Sequence, residues 1–385
     1  MSFNSVHAVS SPSRCRVAIL GFGTVGSAVA RRLSGPDAIH GLELTHIFDR
    51  RASEKHTRLG HHRDDGGFIA DVAWTDQFED IVTSDADVVI EVLGGVEPAA
   101  GWIRDLLAAG KSVVTANKQV MARHGPALQT LAARQGRQLR FEAAVGGAMP
   151  IVRAVGDGLA GDRITRIVAV LNGTTNAVLS RMEATGCPIE EALTDARVRG
   201  YAEADASADL DGLDAAAKLS ILCGLAFGLR VEPSQIETCS SASIGPGDFA
   251  QAHREGGTIR QIAHAEYDRA RSTLTAWVAP VVVAQTSIFG RATGPQNAAL
   301  VTSTYSGEIG MSGAGAGGDA TAVAIVSDLV AIARDRAAIV PPPRLSSPRM
   351  ILGLPSLDGR HAIADGRLQI ADGVQMADCV LAEAV

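Results

Sequence analysis

Arg16-Val-Ala-Ile-Leu20 is a short apolar run that leads straight into Gly21-Phe-Gly23-Thr-Val-Gly26, and residues 27–33 then carry apolar positions at helical spacing. Strand, glycine turn and helix follow one another without a gap. Further apolar runs at 42–48, 87–92, 112–115 and 138–141 are separated by stretches long enough for helices. Such alternation predicts an α/β fold with a Rossmann-type, doubly wound parallel sheet. From residue 151 the pattern changes. Residues 163–170 read as a strand, Asn172-Gly-Thr-Thr as a turn with capping hydroxyls, and 176–183 as a helix, while a further helix opens at Pro188 and stops at Gly200. Runs at 258–264, 274–284 and 298–303 alternate or cluster like strands, so an α+β domain with an open sheet is expected. Residues 307–318 read as a glycine-rich loop, followed by an apolar helix over 320–333.

One helix has a pattern that needs a reason. From Gly212 onward the chain reads Leu213-Asp214-Ala-Ala-Ala-Lys218-Leu-Ser-Ile-Leu-Cys-Gly-Leu225, apolar on every side except for a serine, an aspartate and a lysine. Asp214 and Lys218 fall on one stripe with Ile221 and Leu225, so both charges point inward or into a cleft. Buried charges are costly unless paired or used. A structural ion pair would account for them. The preceding loop, however, gathers Glu203, Asp205, Asp209 and Asp211 at the same end, which favours a site for a cationic or amino-bearing ligand.

Composition narrows the class. The 385 residues allow two domains with real cores. A hydrophobic fraction of 46%, a charged fraction of 20% and a net charge of −7 describe an ordinary globular chain with no basic stripe for nucleic acid. Five cysteines lie scattered without metal-ligand spacing, which suits reduced thiols in the cytoplasm. No apolar run reaches membrane-spanning length, and the Ser-rich start has no apolar core of a signal peptide. The expected organisation is a disordered lead-in over 1–13, a nucleotide-binding domain over 14–150 completed by 309–340, a second domain over 151–308, and a tail over 341–385.

The glycine turn gives the first candidate chemistry. Gly21 would make a tight turn, Gly23 would let a pyrophosphate approach the backbone, and Gly26 would let helix pack on strand, with free amides at the helix start facing the anion. Phe22, Thr24 and Val25 complete that loop. Asp49 follows the second strand at the distance where a carboxylate meets a ribose, and Arg50 and Arg51 come next, so NAD and NADP both remain open. Loops after later strands add Leu93-Gly94-Gly95, Thr115-Ala-Asn117-Lys118 and Phe141-Glu142-Ala-Ala-Val145-Gly146-Gly147-Ala-Met149. Lys118 would lie beside the reactive ring, or else be a solvated surface lysine. Glu142 could share a cation with nearby carbonyls, or else be a turn carboxylate bonded to backbone amides.

Together these segments resemble homoserine dehydrogenase, in order and through most of the chain. The resemblance rests on Gly21–Gly26, Gly94-Gly95 with Glu97-Pro98, Thr115–Lys118, Phe141–Gly147, Leu171-Asn-Gly-Thr-Thr-Asn176, Gly200-Tyr-Ala-Glu-Ala-Asp205, Asp209–Asp214 with Lys218, and Gly313–Gly318. It implies NAD(P)-dependent interconversion of L-homoserine and L-aspartate 4-semialdehyde, with Lys218 as general acid/base and Lys118 as its partner. It further implies that Gly200, Glu203, Asp209 and Asp214 hold the substrate and that Gly315 and Gly317 lie near the nicotinamide. Glu142 and the carbonyls of Val145, Gly147 and Met149 resemble a monovalent-cation site (Na or K) at the interdomain hinge. The second domain is then also the dimerisation domain of a homodimer or homotetramer, with no nucleic acid and no membrane as partner. Ala144 and Ser312 depart from the family pattern, and the tail is too short for the amino-acid-sensing domain many members carry. Two other readings compete: a paralogous dehydrogenase of another small amino or hydroxy acid, and an inactive nucleotide-binding sensor, which intact Glu203, Asp214 and Lys218 disfavour.

Overall fold

The computed structural model describes residues 14–334 apart from 37, 61–68 and 70, together with 346–347 and three short backbone segments at 349–351, 360–364 and 367–371. The expected lead-in over 1–13 and most of the tail lie outside the described residues. The chain divides into two compact units, one drawn from Met1–Thr115, Leu128–Arg140 and Ile325–Pro341, the other from Ala116–Ala127, Phe141–Ala324 and Pro342–Val385. Among the described residues no helix is long and apolar enough to cross a membrane.

In the first unit six strands form one parallel sheet: β1 (Cys15–Leu20), β2 (Leu42–Phe48), β3 (Ala73–Thr75), β4 (Val88–Glu91), β5 (Ser112–Thr115) and β6 (Leu139–Arg140). Their spatial order is β3-β2-β1-β4-β5-β6, so the winding reverses between β1 and β4. In doubly wound sheets the ligand crevice opens at that reversal, beyond the carboxyl ends of the strands. Residues 17–20 and 88–91 are almost completely buried, as expected for central strands covered by helices on both faces. Helices at Thr24–Ser34, Ala52–Gly60, Phe78–Thr83 and Ala99–Ala108 make the first four crossovers, and the helix at Lys118–Arg134 makes the fifth, from β5 to β6. The expected strands over 16–20, 42–48, 87–92, 112–115 and 138–141 each match one of these to within two residues.

The second unit is built on a mixed sheet. Strands β7 (Ile164–Val170), β8 (Glu237–Thr238), β9 (Gly257–Asp268), β10 (Thr273–Ala284), β11 (Gln296–Ser303), β12 (Gly307–Ala314), β13 (Arg349–Ile351), β14 (Arg360–Ala364) and β15 (Arg367–Ala371) follow the path β12-β11-β7-β9-β10-β14-β15. Strands β8 and β13 also pair with β10. Alternate residues point to opposite faces, and both faces of β9 and β10 are covered. Val168, Ile262, Trp277, Val281 and Phe289 pack in one cluster, whereas Ile259 joins Val178, Leu179, Met182 and Phe249 from the helices in another. The helices over Gly173–Thr185, Ile189–Val198 and Leu213–Phe227 lie where the apolar patterning places them.

One expectation fails. The glycine-rich stretch expected as a loop is a strand over Gly307–Ala314, in register with β11 from Ser303–Gly307 to Gln296–Ala314. Ladder hydrogen bonds override the low strand propensity of glycine here. The missing side chains also make room, since a Cβ on Gly310 would come within 3.1 Å of Ile288 Cδ1. Of the cysteines, Cys15, Cys187 and Cys223 are free and buried. Cys379 lies outside the described residues.

Gly26 shows how tightly the nucleotide turn is built, because a Cβ there would come 2.0 Å from the carbonyl oxygen of Gly21. Gly26→Ala should therefore destabilise the first unit by about 1–3 kcal/mol or more, through forced movement of the turn. Thermal unfolding should show the loss, and nucleotide binding should weaken with it.

Candidate active site

The Leu213–Phe227 helix begins after Gly212, which adopts a φ of +79° and packs so closely that a Cβ would come 2.9 Å from Val278 Cγ1. That close seat presses the first turn of the helix against the sheet. Asp214, in this first turn, is buried, while Leu213 beside it is exposed. Lys218 is one turn further on the same stripe, and its Nζ lies 2.7 Å from Asp214 Oδ2. Lys118, at the start of the Lys118–Arg134 helix, brings its Nζ to 2.5 Å from Asp214 Oδ1. One carboxylate thus bridges two ammonium groups, one from its own helix and one from a helix some hundred residues earlier.

Position sets the electrostatics. Burial opposes ionisation of Asp214, but the charges of Lys218 and Lys118 outweigh it and hold the carboxyl well below the usual carboxylate range. Burial likewise works against the Lys118 ammonium, and the attraction of Asp214, aided by Asp209 and Glu203, prevails and raises its pKa above the ordinary lysine value. Two lysines on one carboxylate would otherwise disfavour each other's protonation. Here the acidic surroundings win for Lys118. Lys218 also donates to the Leu171 carbonyl at 2.7 Å.

The end of β7 holds this cluster together. Asn172 Oδ1 accepts from the Thr175 amide at 2.7 Å and so caps the Gly173–Thr185 helix. Its Nδ2 donates to Asp209 Oδ1 at 2.6 Å and to Asp214 Oδ2 at 2.8 Å. Burial drives the Asp209 pKa up and nearby Asp214 adds to that, against the hydrogen bond from Asn172 and the two lysines. Gln261, buried on β9, donates to the carbonyls of Asp209 and Leu210 at 3.0 and 3.1 Å and fixes the short Ser207–Leu210 helix from below. The expectation for Asn172 was a turn with capping hydroxyls. The structure makes the amide both the cap and the link, and an asparagine directly after a strand and before a helix was the available signal.

Gly200 lies in the left-handed region with a φ of +75°, ending the Ile189–Val198 helix. The next residue, Tyr201, accepts from Thr174 Oγ1 at 2.6 Å, which ties this loop to the start of the Gly173–Thr185 helix. Glu203 is exposed, and its charge is felt at Lys118. Lys118, Asp209, Asp214 and Lys218 are therefore brought together, with Glu203 near them on a solvent-facing loop.

The nucleotide residues fall in both units. In the first, Gly21 has a φ of +100° and Gly23 ends the turn with open space where a Cβ would lie. Asp49 is almost fully buried. It accepts from the Phe22 amide at 3.0 Å and the Arg51 amide at 2.9 Å, and pairs with Lys55 at 2.5 Å. Burial resists ionisation of Asp49, yet Lys55 and the amides keep its pKa low. Thr24 and Arg50 are exposed and Val25 half-buried. Buried Glu91, which the sequence analysis did not single out, accepts from Thr115 Oγ1 at 2.5 Å and from the Leu93 amide at 2.8 Å, thereby setting the loop that carries Gly94 at a φ of +79°. In the second unit, Gly315 lies against the buried Asn297 side chain, where a Cβ would come 2.4 Å from Oδ1, and Gly317 precedes the Gly318–Arg334 helix with a φ of +117°.

Glu142 sits before the helical turn Ile151–Arg153, where its two oxygens accept from the Val152 and Arg153 amides at 2.9 and 2.8 Å. The backbone hydrogen bonds of this loop run from Val145 N to Glu142 O, Met149 N to Gly146 O and Ile151 N to Met149 O. Gly146 and Gly147 at positive φ turn the chain sharply within it. Glu142 is thus a turn carboxylate bonded to backbone amides, the second of its two expected readings, in a loop whose carboxylate and carbonyl oxygens are the donor types a hard cation takes.

A glycine turn at the reversal of a parallel sheet, with a lysine–carboxylate cluster in a second unit, defines a nicotinamide-dependent dehydrogenase. Residues 21–142 match the family model for the homoserine dehydrogenase NAD binding domain and residues 150–330 match the homoserine dehydrogenase model. Homoserine dehydrogenase of Synechocystis sp. is 38% identical over 324 residues, covering 82% of this chain and 73% of that protein. The Mycobacterium tuberculosis homoserine dehydrogenase is 37% identical over 335 residues, covering 83% and 72%. Among solved structures, a homoserine dehydrogenase from Thiobacillus denitrificans superposes with a TM-score of 0.79 at 30% identity, covering 91% of this chain and 81% of that one. A putative homoserine dehydrogenase from Archaeoglobus fulgidus gives 0.70 at 35% identity, covering 82% and 98%. A hyperthermophilic archaeal homoserine dehydrogenase in complex with NADPH gives 0.68 at 26% identity, covering 82% and 97%. The chain belongs to the homoserine dehydrogenase family: an NAD(P)-dependent oxidoreductase acting on a CH–OH group.

Asp214→Asn should cost about 3–5 kcal/mol at neutral pH, because it leaves two ammonium groups without their shared counter-charge. The Asp214 carboxyl titrates below its ordinary value of 3.8, so its contribution is complete above that value and is lost as pH falls through the lower folded one. Urea unfolding of the two proteins across pH should show the gap closing only in strong acid.

Proposed function

We propose that this chain interconverts L-homoserine and L-aspartate 4-semialdehyde, with Lys218 moving the hydroxyl proton and Lys118 holding the reacting oxygen. The observation that carries this reading is the pair of ammonium groups on one buried carboxylate. When bound, the nicotinamide supplies the hydride acceptor or donor.

The residues divide the remaining work. Lys118 is held as an ammonium by Asp214 and offers a fixed positive charge to a developing alkoxide. Lys218 has three N–H bonds when protonated and two acceptors already in reach, Asp214 and the Leu171 carbonyl, which leaves one bond for a substrate oxygen. In the oxidation direction neutral Lys218 takes the hydroxyl proton, and in reduction its ammonium returns it. Glu203 and Asp209 then supply negative charge for the substrate ammonium, and the Gly200 loop lines the same side. Gly21, Phe22, Gly23, Thr24, Val25 and Gly26, with Asp49, Arg50, Leu93, Gly94, Gly315 and Gly317, hold the cofactor in this reading.

Two finer assignments go with it. Glu142 and the carbonyls of Val145, Gly147 and Met149 would hold Na or K. The chain would assemble as a homodimer or homotetramer, a reading supported by the exposed strand β12 that ends the second sheet. If the cation assignment is right, turnover in a buffer free of Na and K should fall and recover on adding one of them, and Glu142→Gln should weaken that response. Identical turnover with and without either ion would remove the assignment.

The decisive experiment is steady-state oxidation of L-homoserine with NAD and with NADP, on wild type and Lys218→Ala. The variant should lose roughly 10²–10⁴ in kcat while nucleotide affinity stays near wild type. Equal loss of nucleotide binding would make Lys218 structural. Preference for another amino or hydroxy acid would favour a paralogous dehydrogenase.

A further inference from the structure

We infer that Asn172 is a positioning residue for this reaction: its carboxamide nitrogen, set between Asp209 and Asp214, fixes the spacing of the two carboxylates around Lys118 and Lys218. The inference deepens the reading above and rests on it.

The geometry admits one orientation of the amide. Oδ1 accepts the Thr175 amide and Nδ2 faces two carboxylate oxygens at 2.6 and 2.8 Å. A flipped side chain would set oxygen against both carboxylates and nitrogen against a backbone N–H, so every contact would become repulsive. The side chain is 4% exposed, so solvent is poorly placed to supply the missing donors in its absence. Leu171, the residue before it, takes Lys218 through its carbonyl. Two consecutive residues after β7 therefore hold three of the four charged groups of the cluster.

A helix cap alone does not need the nitrogen. Capping uses Oδ1, and serine caps a helix about as well. The two N–H bonds of Nδ2 do different work: they lie between carboxylates that would repel each other across a poorly solvated gap. The charged groups facing Asp209 are Asp214 and Lys218 on the Leu213–Phe227 helix and Lys118 on the Lys118–Arg134 helix. Glu203 adds its charge at Lys118 from the loop before the Ser207–Leu210 helix. Burial and Asp214 both push Asp209 towards taking a proton, and Asn172 works against them. Without the amide Asp209 protonates at higher pH, and the lysines lose part of their counter-charge within the working range.

The test compares Asn172→Ser, Asn172→Asp, Lys218→Ala and wild type by thermal unfolding, nucleotide titration and kcat/KM for L-homoserine across pH. Serine keeps the cap but cannot donate to both carboxylates. Asn172→Ser should fold and bind nucleotide as wild type does, lose on the order of tenfold in kcat/KM, and move the acidic limb of the profile up by roughly one pH unit. Asn172→Asp, which caps well but sets a third carboxylate between the other two, should lose more. A wild-type kcat/KM and an unmoved acidic limb in Asn172→Ser would overturn the inference, as would a loss of activity that tracks lowered thermal stability with the limb unmoved. Full turnover in Lys218→Ala would instead overturn the site reading itself, whatever the Asn172 variants do.

Discussion

A carboxylate as deeply buried as Asp214 stays ionised only if something replaces its water, and here two ammonium groups and an amide do so. That requirement shapes much of the second unit. Lys118 must begin a helix at the right place, Lys218 must lie one turn after Asp214, and the end of β7 must deliver Leu171 and Asn172 to the same point. Gly212 lets the helix carrying Asp214 sit tightly on β10. Break the shared carboxylate and two lysines are left in partly desolvated surroundings with no fixed geometry.

The charges of this cluster are not equivalent. Lys118 is held as a cation, whereas Lys218 is engaged by a carbonyl and a carboxylate. Asp209 lies further out, driven towards neutrality by burial and kept from it by Asn172. In the function proposed above, a balance of this kind, with opposing shifts on neighbouring groups, would let one site hold an ammonium-bearing substrate and exchange a proton with it. In the first unit a different device does the positioning. Buried Glu91 and Asp49 each accept from backbone amides and so fix the loops at the ends of β1, β2 and β4.

Much of this was legible in the chain. Apolar runs of strand length separated by helical segments specified the parallel sheet, since each central strand is buried on both faces and shows it in composition. Glycines 21, 23 and 26 marked the turn because their spacing reflects contacts within a few residues. Asp214 and Lys218 declared themselves as charges on an otherwise apolar helix. Less legible was the strand over Gly307–Ala314, whose glycines suit a loop by local preference and become a strand only because β11 offers a ladder of partners.

The sequence by itself determined what is local: helical and strand periods, the glycine turn, the i to i+4 pairing of Asp214 with Lys218, and the family to which these motifs belong. Tertiary structure alone decided which distant groups meet. Lys118 and Asp214 are almost a hundred residues apart, and nothing in the period of either helix says that one carboxylate will serve both lysines. Asn172 read as part of a turn with capping hydroxyls until the fold placed Asp209 and Asp214 against its nitrogen. Hydrogen bonds and ion pairs act over a few ångströms, so their partners are fixed only once packing has brought separate elements into contact.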